Sequence, residues 1–446
     1  MTAPEASLAA LYRKVDLRLL PYLFLLYVVA YLDRVNVSFA APSLSLELGF
    51  SSSVFGLGAG MFFAGYVLCE VPSNLILRRV GARLWIARIM VTWGLVACGM
   101  ALVHADWSFH TLRFLLGVAE AGFLPGIIYY LTLWYPPARR ARAVALFMAA
   151  TPVAGIVGGP LSGLLLEMHG SLGMSGWRWM FLLEGVPAVL LGFSVLRYLP
   201  DGPAHAPWLD PAERLALDAE LSRAVTAAAP GAESGVEPDS GRGLWAVLAG
   251  LARDPRVWLL SLGYFSLCVG MYGLVMWMPT LIGEVLGPGA SPEKVGLLSA
   301  IPYLGGVVGM VLIGRHSDRT GERRWHTAGP LFVSAAGFVL ALWPGGAGLI
   351  GLAGPWWSLG CFTLAIIGLW GMLGPFWTIP TGFLSGAAAA GGVALINSVG
   401  NAGGFVGPTL VGYVRDLTGS HVMSFLAIAA IMVLGGCSIL WVTRRR

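Results

Sequence analysis

Twelve apolar stretches, each long enough to cross a bilayer as a helix, constrain this chain more than any other feature it has. A hydrocarbon core of roughly 30 Å is crossed by about 20 predominantly apolar residues in helical form. Such stretches lie near 17–40, 54–77, 84–104, 109–134, 143–167 and 178–199, and again near 256–283, 295–314, 326–343, 356–380, 388–414 and 421–442. Inside hydrocarbon no water is available to bond the backbone, so a spanning segment must satisfy its own N–H and C=O groups, as a helix does. The expected fold class is all-α and integral to the membrane, with twelve transmembrane helices in two six-helix bundles. Composition agrees: 57% of the 446 residues are hydrophobic and 11% charged, too little polar surface for a soluble protein of this length.

The first stretch is too long for the apolar region of a signal peptide, lacks a small-residue cleavage site and carries charges, so it is expected to persist as a span. With the N-terminus in the cytoplasm, alternate connections collect 23 of the 28 lysines and arginines, among them Arg13, Arg78, Arg139, Arg140, Arg315 and Arg444. Positive charge concentrates on the cytoplasmic side of membrane proteins, which predicts both termini there. The net charge of +5 then reports topology and contact with anionic lipid, with no nucleic-acid partner implied. Cys69, Cys98, Cys268, Cys361 and Cys437 all lie in or near apolar stretches without metal-ligand spacing, and are expected to be free, buried thiols.

The one long polar stretch divides the chain into residues 1–200, an N-terminal bundle, 201–250, a cytoplasmic linker, and 251–446, a C-terminal bundle. Within the linker, Asp210 as N-cap, Pro211 at the first helical position and Glu213 at the third predict a short capped helix. The run TAAAPGAESGVEPDSG after it is too poor in apolar residues to bury a core, and disorder is expected. The halves echo each other: Gly155-x3-Gly159-Pro160 matches Gly403-x3-Gly407-Pro408, and Arg79-x-Gly81 matches Arg319-x-Gly321, at nearly constant offset. Parallel six-helix repeats would give that pattern, with a substrate site at their interface near the bilayer midplane.

Four charges sit inside spans, Asp33 and Arg34 in the first, Arg113 and Glu120 in the fourth. Each costs about 2.5 to 3.5 kcal/mol on insertion scales, so function is the expected reason for it. Arginine stays protonated in a dry site and offers a planar fork suited to carboxylate. We therefore assign Arg113, with Arg34, to an anionic substrate. A carboxylate caught between burial and a neighbouring arginine takes up a proton when a substrate anion claims that arginine, which makes Asp33 and Glu120 candidates for coupling protons. The competing reading is a static ion pair joining the first and fourth helices. The second half brings no charge, since residues 325–414 contain no Asp, Glu, Lys or Arg. Its share of a site falls to Tyr272, Trp277, Trp377, Thr378, Asn397 and Ser398, opposite Tyr31 and Tyr66 of the first half, and Pro375 and Pro380 can break the tenth helix. Glu70 and Glu184 read as structural.

These residues also resemble a known family. The loop Gly314-x3-Asp318-Arg319-x-Gly321-x-Arg323-Arg324 fits the signature loop of the major facilitator superfamily, while its first-half counterpart has Arg78 at the acidic position. That departure is similar to the anion:cation symporter subgroup, whose members carry phthalate, tartrate and sugar acids. Tyr31-Leu-Asp33-Arg34-Val-Asn36, Glu70-Val-Pro72-Ser73-Asn74, Arg113-x6-Glu120-Ala-Gly122, Gly176-Trp177-Arg178-Trp179-x4-Glu184-Gly185 and Ala394-Leu-Ile-Asn397-Ser398 carry the resemblance along nearly the whole chain. It implies proton-coupled symport of an organic anion by alternating access in the inner membrane. It also implies protons on Asp33 and Glu120 and substrate contacts at Tyr31, Tyr66, Trp377 and Asn397, while the loop residues Arg78, Arg79, Arg319 and Arg323, with Asp318, are expected to form a cytoplasmic gate. The expected partners are an organic anion, protons and the bilayer, with no cofactor, and the working unit is expected to be a monomer. No nucleophile motif, metal cluster or P-loop points to an enzyme; anion exchange and ligand sensing on the same fold remain as alternatives.

Overall fold

The computed structural model describes residues 3–227, 250–342, 355–384 and 386–445. Among these every regular element is helical. Ten helices are long and apolar enough to cross a membrane by length and composition. Two further long helices, Arg324–Ala341 and Gly386–Thr418, complete the ninth and eleventh spans. Their mean hydropathy is diluted by Arg324, Trp325 and His326 in the one and by glycine and asparagine in the other. The remaining spans, in chain order, begin with Ala3–Leu48, Ser52–Val80 and Ala82–Gly99. The fourth is Asp106–Glu120 with Phe123–Thr132, the fifth Pro137–Met148 with Ala150–Leu166, and the sixth Gly176–Tyr198. In the second half the seventh is Pro255–Val275 with Met278–Leu286, followed by Pro292–Thr320, Pro355–Thr381 as the tenth, and Val422–Val442.

Local chemistry sets the breaks. Ser51 accepts from the Val54 amide at 3.2 Å to start the second span, and Ser291 accepts from Lys294 at 3.3 Å ahead of Pro292 to start the eighth. The fourth span breaks at Ala121–Gly122, where Gly122 adopts φ 88° and a Cβ would meet Ser73 Oγ at 2.2 Å. Ser73 donates to the carbonyl of Ala121 at 2.6 Å and accepts from the indole of Trp85 at 2.9 Å, so the carbonyl left over at the break is satisfied. Pro375 does not interrupt the tenth helix. The helix runs through it and stops only after Pro380, with the Thr378 hydroxyl donating back to the Pro375 carbonyl at 2.7 Å. One missing N–H bends a membrane helix more readily than it ends it.

In the first half the third span packs on the sixth, the second on the fourth, and the first on the fifth and sixth. In the second half the seventh packs on the eleventh and twelfth, and the tenth on the eighth and ninth. The halves meet chiefly through the second span against the eleventh and the fifth against the eighth, two contacts that pair matching positions crosswise, since the second corresponds to the eighth and the fifth to the eleventh. Glycine lets these backbones touch. A Cβ on Gly159 would lie 2.4 Å from the Gly296 carbonyl oxygen, and one on Gly296 would lie 2.2 Å from that of Gly159.

The linker helix Pro211–Ala227 docks on the first half through buried Leu217 and the Lys14–Glu213 ion pair of 2.6 Å. Glu213 also accepts from the Asp210 amide at 2.9 Å, and the bond to Lys14 holds its carboxyl below the ordinary range. Most of the run expected to be disordered, from 228 on, lies outside the described residues. All five cysteines are free, but only Cys268 and Cys361 are buried and Cys437 is exposed, a correction to the expected burial. Cys437 lies on the outer surface of the last helix, where the neighbours in a bilayer are lipid chains.

Candidate functional site

The four intramembrane charges do come together, in pairings that adjacency in the chain would not suggest. Arg34 forms an ion pair with Glu120, and Asp33 turns away from both. Successive residues leave a helix about 100° apart, so Asp33 and Arg34 face different neighbours. Asp33, 1% exposed, accepts from the indole N–H of Trp93 on the third span at 2.5 Å and from the Asn36 amide at 2.9 Å. Glu120 is likewise 1% exposed and its Oε2 has no hydrogen-bond partner.

Arg113 is 1% exposed, donates from Nε to the Gly58 carbonyl at 3.3 Å, and leaves one terminal nitrogen without a partner. Among the described residues no carboxylate lies within ion-pair distance of it. Its guanidinium stands 5.1 Å from the Phe62 ring centre, and that of Arg34 stands 5.3 Å from the same ring, so one phenylalanine is shared by both cations. The fourth span places Arg113 and Glu120 two turns apart on one face, and its break at Gly122 follows directly after Glu120.

Arg34 is the member that faces the second half. Tyr66 lies 5.5 Å under its guanidinium and Tyr272 of the seventh span lies alongside. Tyr272 stacks obliquely on Phe63 of the second span, ring centres 4.2 Å apart. Tyr31 is 3% exposed with its hydroxyl unpartnered, near Tyr272 and Tyr303. Trp377 packs edge-on against Tyr264 at 4.9 Å, and Tyr264 in turn covers Gly400, one turn beyond Asn397 on the eleventh span. Trp377 and Asn397 are half-buried, and Thr378 and Ala394 beside them are exposed.

Trp277 lies elsewhere. It is buried against Phe55 at 5.2 Å and donates to the Pro408 carbonyl at 3.3 Å, in the seam that closes the halves at the end away from the termini. Asp416 accepts there from the backbone amides of Ser52 at 3.0 Å and Ser53 at 2.7 Å, so the eleventh span caps the N-terminus of the second across the interface. Thr409 donates to the Gly56 carbonyl at 3.3 Å nearby, and Glu284 pairs with Arg415 at 2.5 Å. At the opposite end, Asp318 pairs with Arg323 at 2.8 Å, and Ser317 accepts from the same arginine, inside their own loop. Arg79 and Arg319 are exposed, and Arg83 pairs with Asp201 at 3.0 Å.

Several contributors escaped sequence reasoning. Trp93, Ser162, Tyr264 and Tyr303 carry no local motif. A tryptophan in mid-span whose N–H must find an acceptor was a usable signal for Trp93. Among the described residues no group of three or more His, Cys, Asp or Glu is placed to hold a metal ion.

An all-helical chain of membrane-length spans with charges gathered inside it has the build of a membrane transporter. Residues 23–408 match the Major Facilitator Superfamily model, and the chain belongs to that family. It is similar to a protein of Agrobacterium vitis named "Putative tartrate transporter", 48% identical over 432 residues that cover 97% of this chain and 94% of the relative. It is also similar to the "Quinolone resistance transporter" of Acinetobacter baumannii, 40% identical over 95% of this chain and 92% of the relative. A bacterial homologue of the human lysosomal transporter Spinster, solved in an inward-facing, unoccupied conformation, shares the fold with a TM-score of 0.75 at 18% identity, over 95% of this chain and 96% of that one. The protein is thus a multi-pass membrane transporter of a small molecule, and not an enzyme.

Proposed function

We propose that this transporter carries an organic anion together with protons, by alternating access across the cytoplasmic membrane, with both termini on the cytoplasmic side. The observation that carries the reading is Arg113: a fully buried guanidinium, with a donor unspent and, among the described residues, no carboxylate paired to it. A buried cation is expensive unless paired, and a substrate carboxylate supplies the missing partner. Arg34, 12% exposed and facing Tyr66 and Tyr272, is the second point of attachment.

Coupling follows from the Arg34–Glu120 pair. An incoming carboxylate competes for Arg34; Glu120, deprived of its cation in a dry site, is then more stable as the acid and takes a proton from water on Oε2. Release of the anion returns Arg34 to Glu120, and the proton leaves. Asp33 is buried away from this pair and offers a second proton site. Tyr31, Tyr66, Tyr272, Trp377 and Asn397 supply hydrogen bonds and aromatic surface that discriminate among acids. Arg79, Asp318, Arg319 and Arg323 act as the gate at the terminal end, which is open when the far end is sealed by Asp416 and the Gly159–Gly296 contact. The name of the Agrobacterium relative supports a hydroxylated dicarboxylate such as tartrate as the substrate. Tyr264 and Trp377 favour an aromatic acid as the second class.

Thermal-shift titration of the purified protein with tartrate, a sugar acid and an aromatic acid tests the binding half of this reading. One of these anions should raise the melting temperature of the wild-type protein and fail to raise that of Arg113→Ala. Equal shifts in both proteins would remove Arg113 from the site.

A further inference from the structure

We propose that Glu184 is a third protonatable site in this transporter and forms with Asp33 one proton-sharing pair, bridged by Asn36. Its part in coupling rests on the proton-coupled reading above; the existence of the shared proton does not.

Glu184 lies on the sixth span and is 5% exposed. Its Oε1 accepts from the Ser162 hydroxyl of the fifth span at 2.8 Å, and its Oε2 is buried without a partner. Asn36 of the first span, 1% exposed, donates to Asp33 Oδ1 and lies beside Glu184 without a hydrogen bond to it in this state. The other groups around the pair are few. Cys98 of the third span packs its sulfur on Gly185 and donates to the Leu182 carbonyl at 3.8 Å, while Trp93 donates to Asp33. Arg178, the basic residue nearest along the sixth span, is spent on Glu47 at 3.1 Å. Arg113 and Glu120 act on Asp33 from the fourth span. Among the described residues Glu184 has no cationic partner.

Two carboxylates therefore bracket one amide in a dry interior. With both ionised, two negative charges would face each other, Glu184 with only neutral donors to hold it, and one proton retained between them removes that repulsion. Asn36 suits the task because its amide has both donor and acceptor ends. Its N–H serves the member that is charged, and its carbonyl can accept from the member that is not. In the transfer a proton leaves Glu184 Oε2 and joins the Asp33 carboxylate. Glu184 is then the carboxylate, held by Ser162 Oγ–H and the Asn36 amide, and no charge is created overall.

Position gives the pair a direction. Glu184 is eight residues from Gly176 at the sealed end, about 12 Å along its helix, whereas Asp33 is about 22 Å from Leu48 at that same end. A proton entering from the sealed side thus meets Glu184 before Asp33 and the substrate site.

Acid-minus-alkaline infrared difference spectra of the purified full chain test the pair without a substrate. Glu184→Gln should remove one protonated-carboxyl C=O band, and Asp33→Asn should keep that band but move its titration midpoint. A Glu184→Gln spectrum that superimposes on wild type, or a midpoint indifferent to Asp33→Asn, overturns the proposal. Should Glu184→Gln fail to fold, Ser162→Ala keeps the carboxyl and should shift the frequency of the same band; an unshifted band counts against the pair. In proteoliposomes Glu184→Gln should lose at least tenfold in pH-driven accumulation while keeping counterflow exchange. If the wild-type protein shows no pH-driven accumulation, the coupling reading fails while the infrared spectra still decide whether the proton is shared.

Discussion

Arg113 and Arg34 stand in different surroundings although both are arginines within spans of the first half, Arg113 buried and Arg34 half-buried. Arg113 has a spare donor and no ion partner, whereas Arg34 is already committed to Glu120. Lysine in place of Arg113 keeps the charge but loses the planar fork, so Arg113→Lys should weaken anion binding by roughly ten- to hundredfold, the worth of about 1.5–3 kcal/mol for a charge-assisted bond. Titration calorimetry on the purified variant checks this, and wild-type affinity would show that the fork is unused. Glu120→Gln removes the partner of Arg34 without changing shape; the variant should bind anion at least as well as wild type but respond less to pH, as a binding isotherm at two pH values would reveal. The presence of these charges was legible in the sequence because their cost in hydrocarbon singles them out. Their partners were not, since the choice between Glu120 and Asp33 for Arg34 depends on how the first span is rotated against the third and fourth. Trp93, whose indole donates to Asp33, bears on that rotation, and its one sequence signal is an N–H in mid-span that must find an acceptor.

At the level of helices, the spans themselves could be read from apolar length, and the linker helix from Asp210, Pro211 and Glu213. The ninth and eleventh spans are the weakest by hydropathy because glycine, asparagine and the Arg324–His326 turn dilute them, yet repeat symmetry requires both. The interruption at Gly122 was invisible as a break because a glycine in an apolar helix more often serves packing; only its positive φ and its contact with Ser73 show the turn. The seal at the far end is where helices meet by backbone. Asp416→Ala removes a cap from the second span across the interface, costing about 1 kcal/mol, a roughly fivefold shift of population away from the sealed state. Thiol labelling of Thr409→Cys, a near-isosteric change in the same seam, should accelerate by that factor in the Asp416→Ala background; an unchanged rate would mean that the cap does not hold the gate. Gly159→Ala should act in the same direction and more strongly, since its Cβ would stand 2.4 Å from a carbonyl oxygen of the other half.

For the whole molecule, the proposed site draws unevenly on the two halves. Every intramembrane charge of the site lies in the first half, and the second half meets it with Tyr272, Tyr303, Tyr264 and Trp377. Substitutions at Trp377 or Asn397 should therefore change which acid is preferred while leaving the response to pH intact, which competition uptake across an acid panel would measure. The most direct test of the account is uptake of labelled tartrate, or of whichever acid binds, into proteoliposomes with and without an imposed pH gradient. Accumulation above equilibrium should appear only with the gradient inward, vanish on collapsing it with an ionophore, and be absent in Glu120→Gln, which should still exchange labelled for unlabelled substrate. Accumulation in Glu120→Gln equal to wild type, or none in the wild-type protein at any gradient, would contradict proton-coupled transport through the Arg34–Glu120 pair.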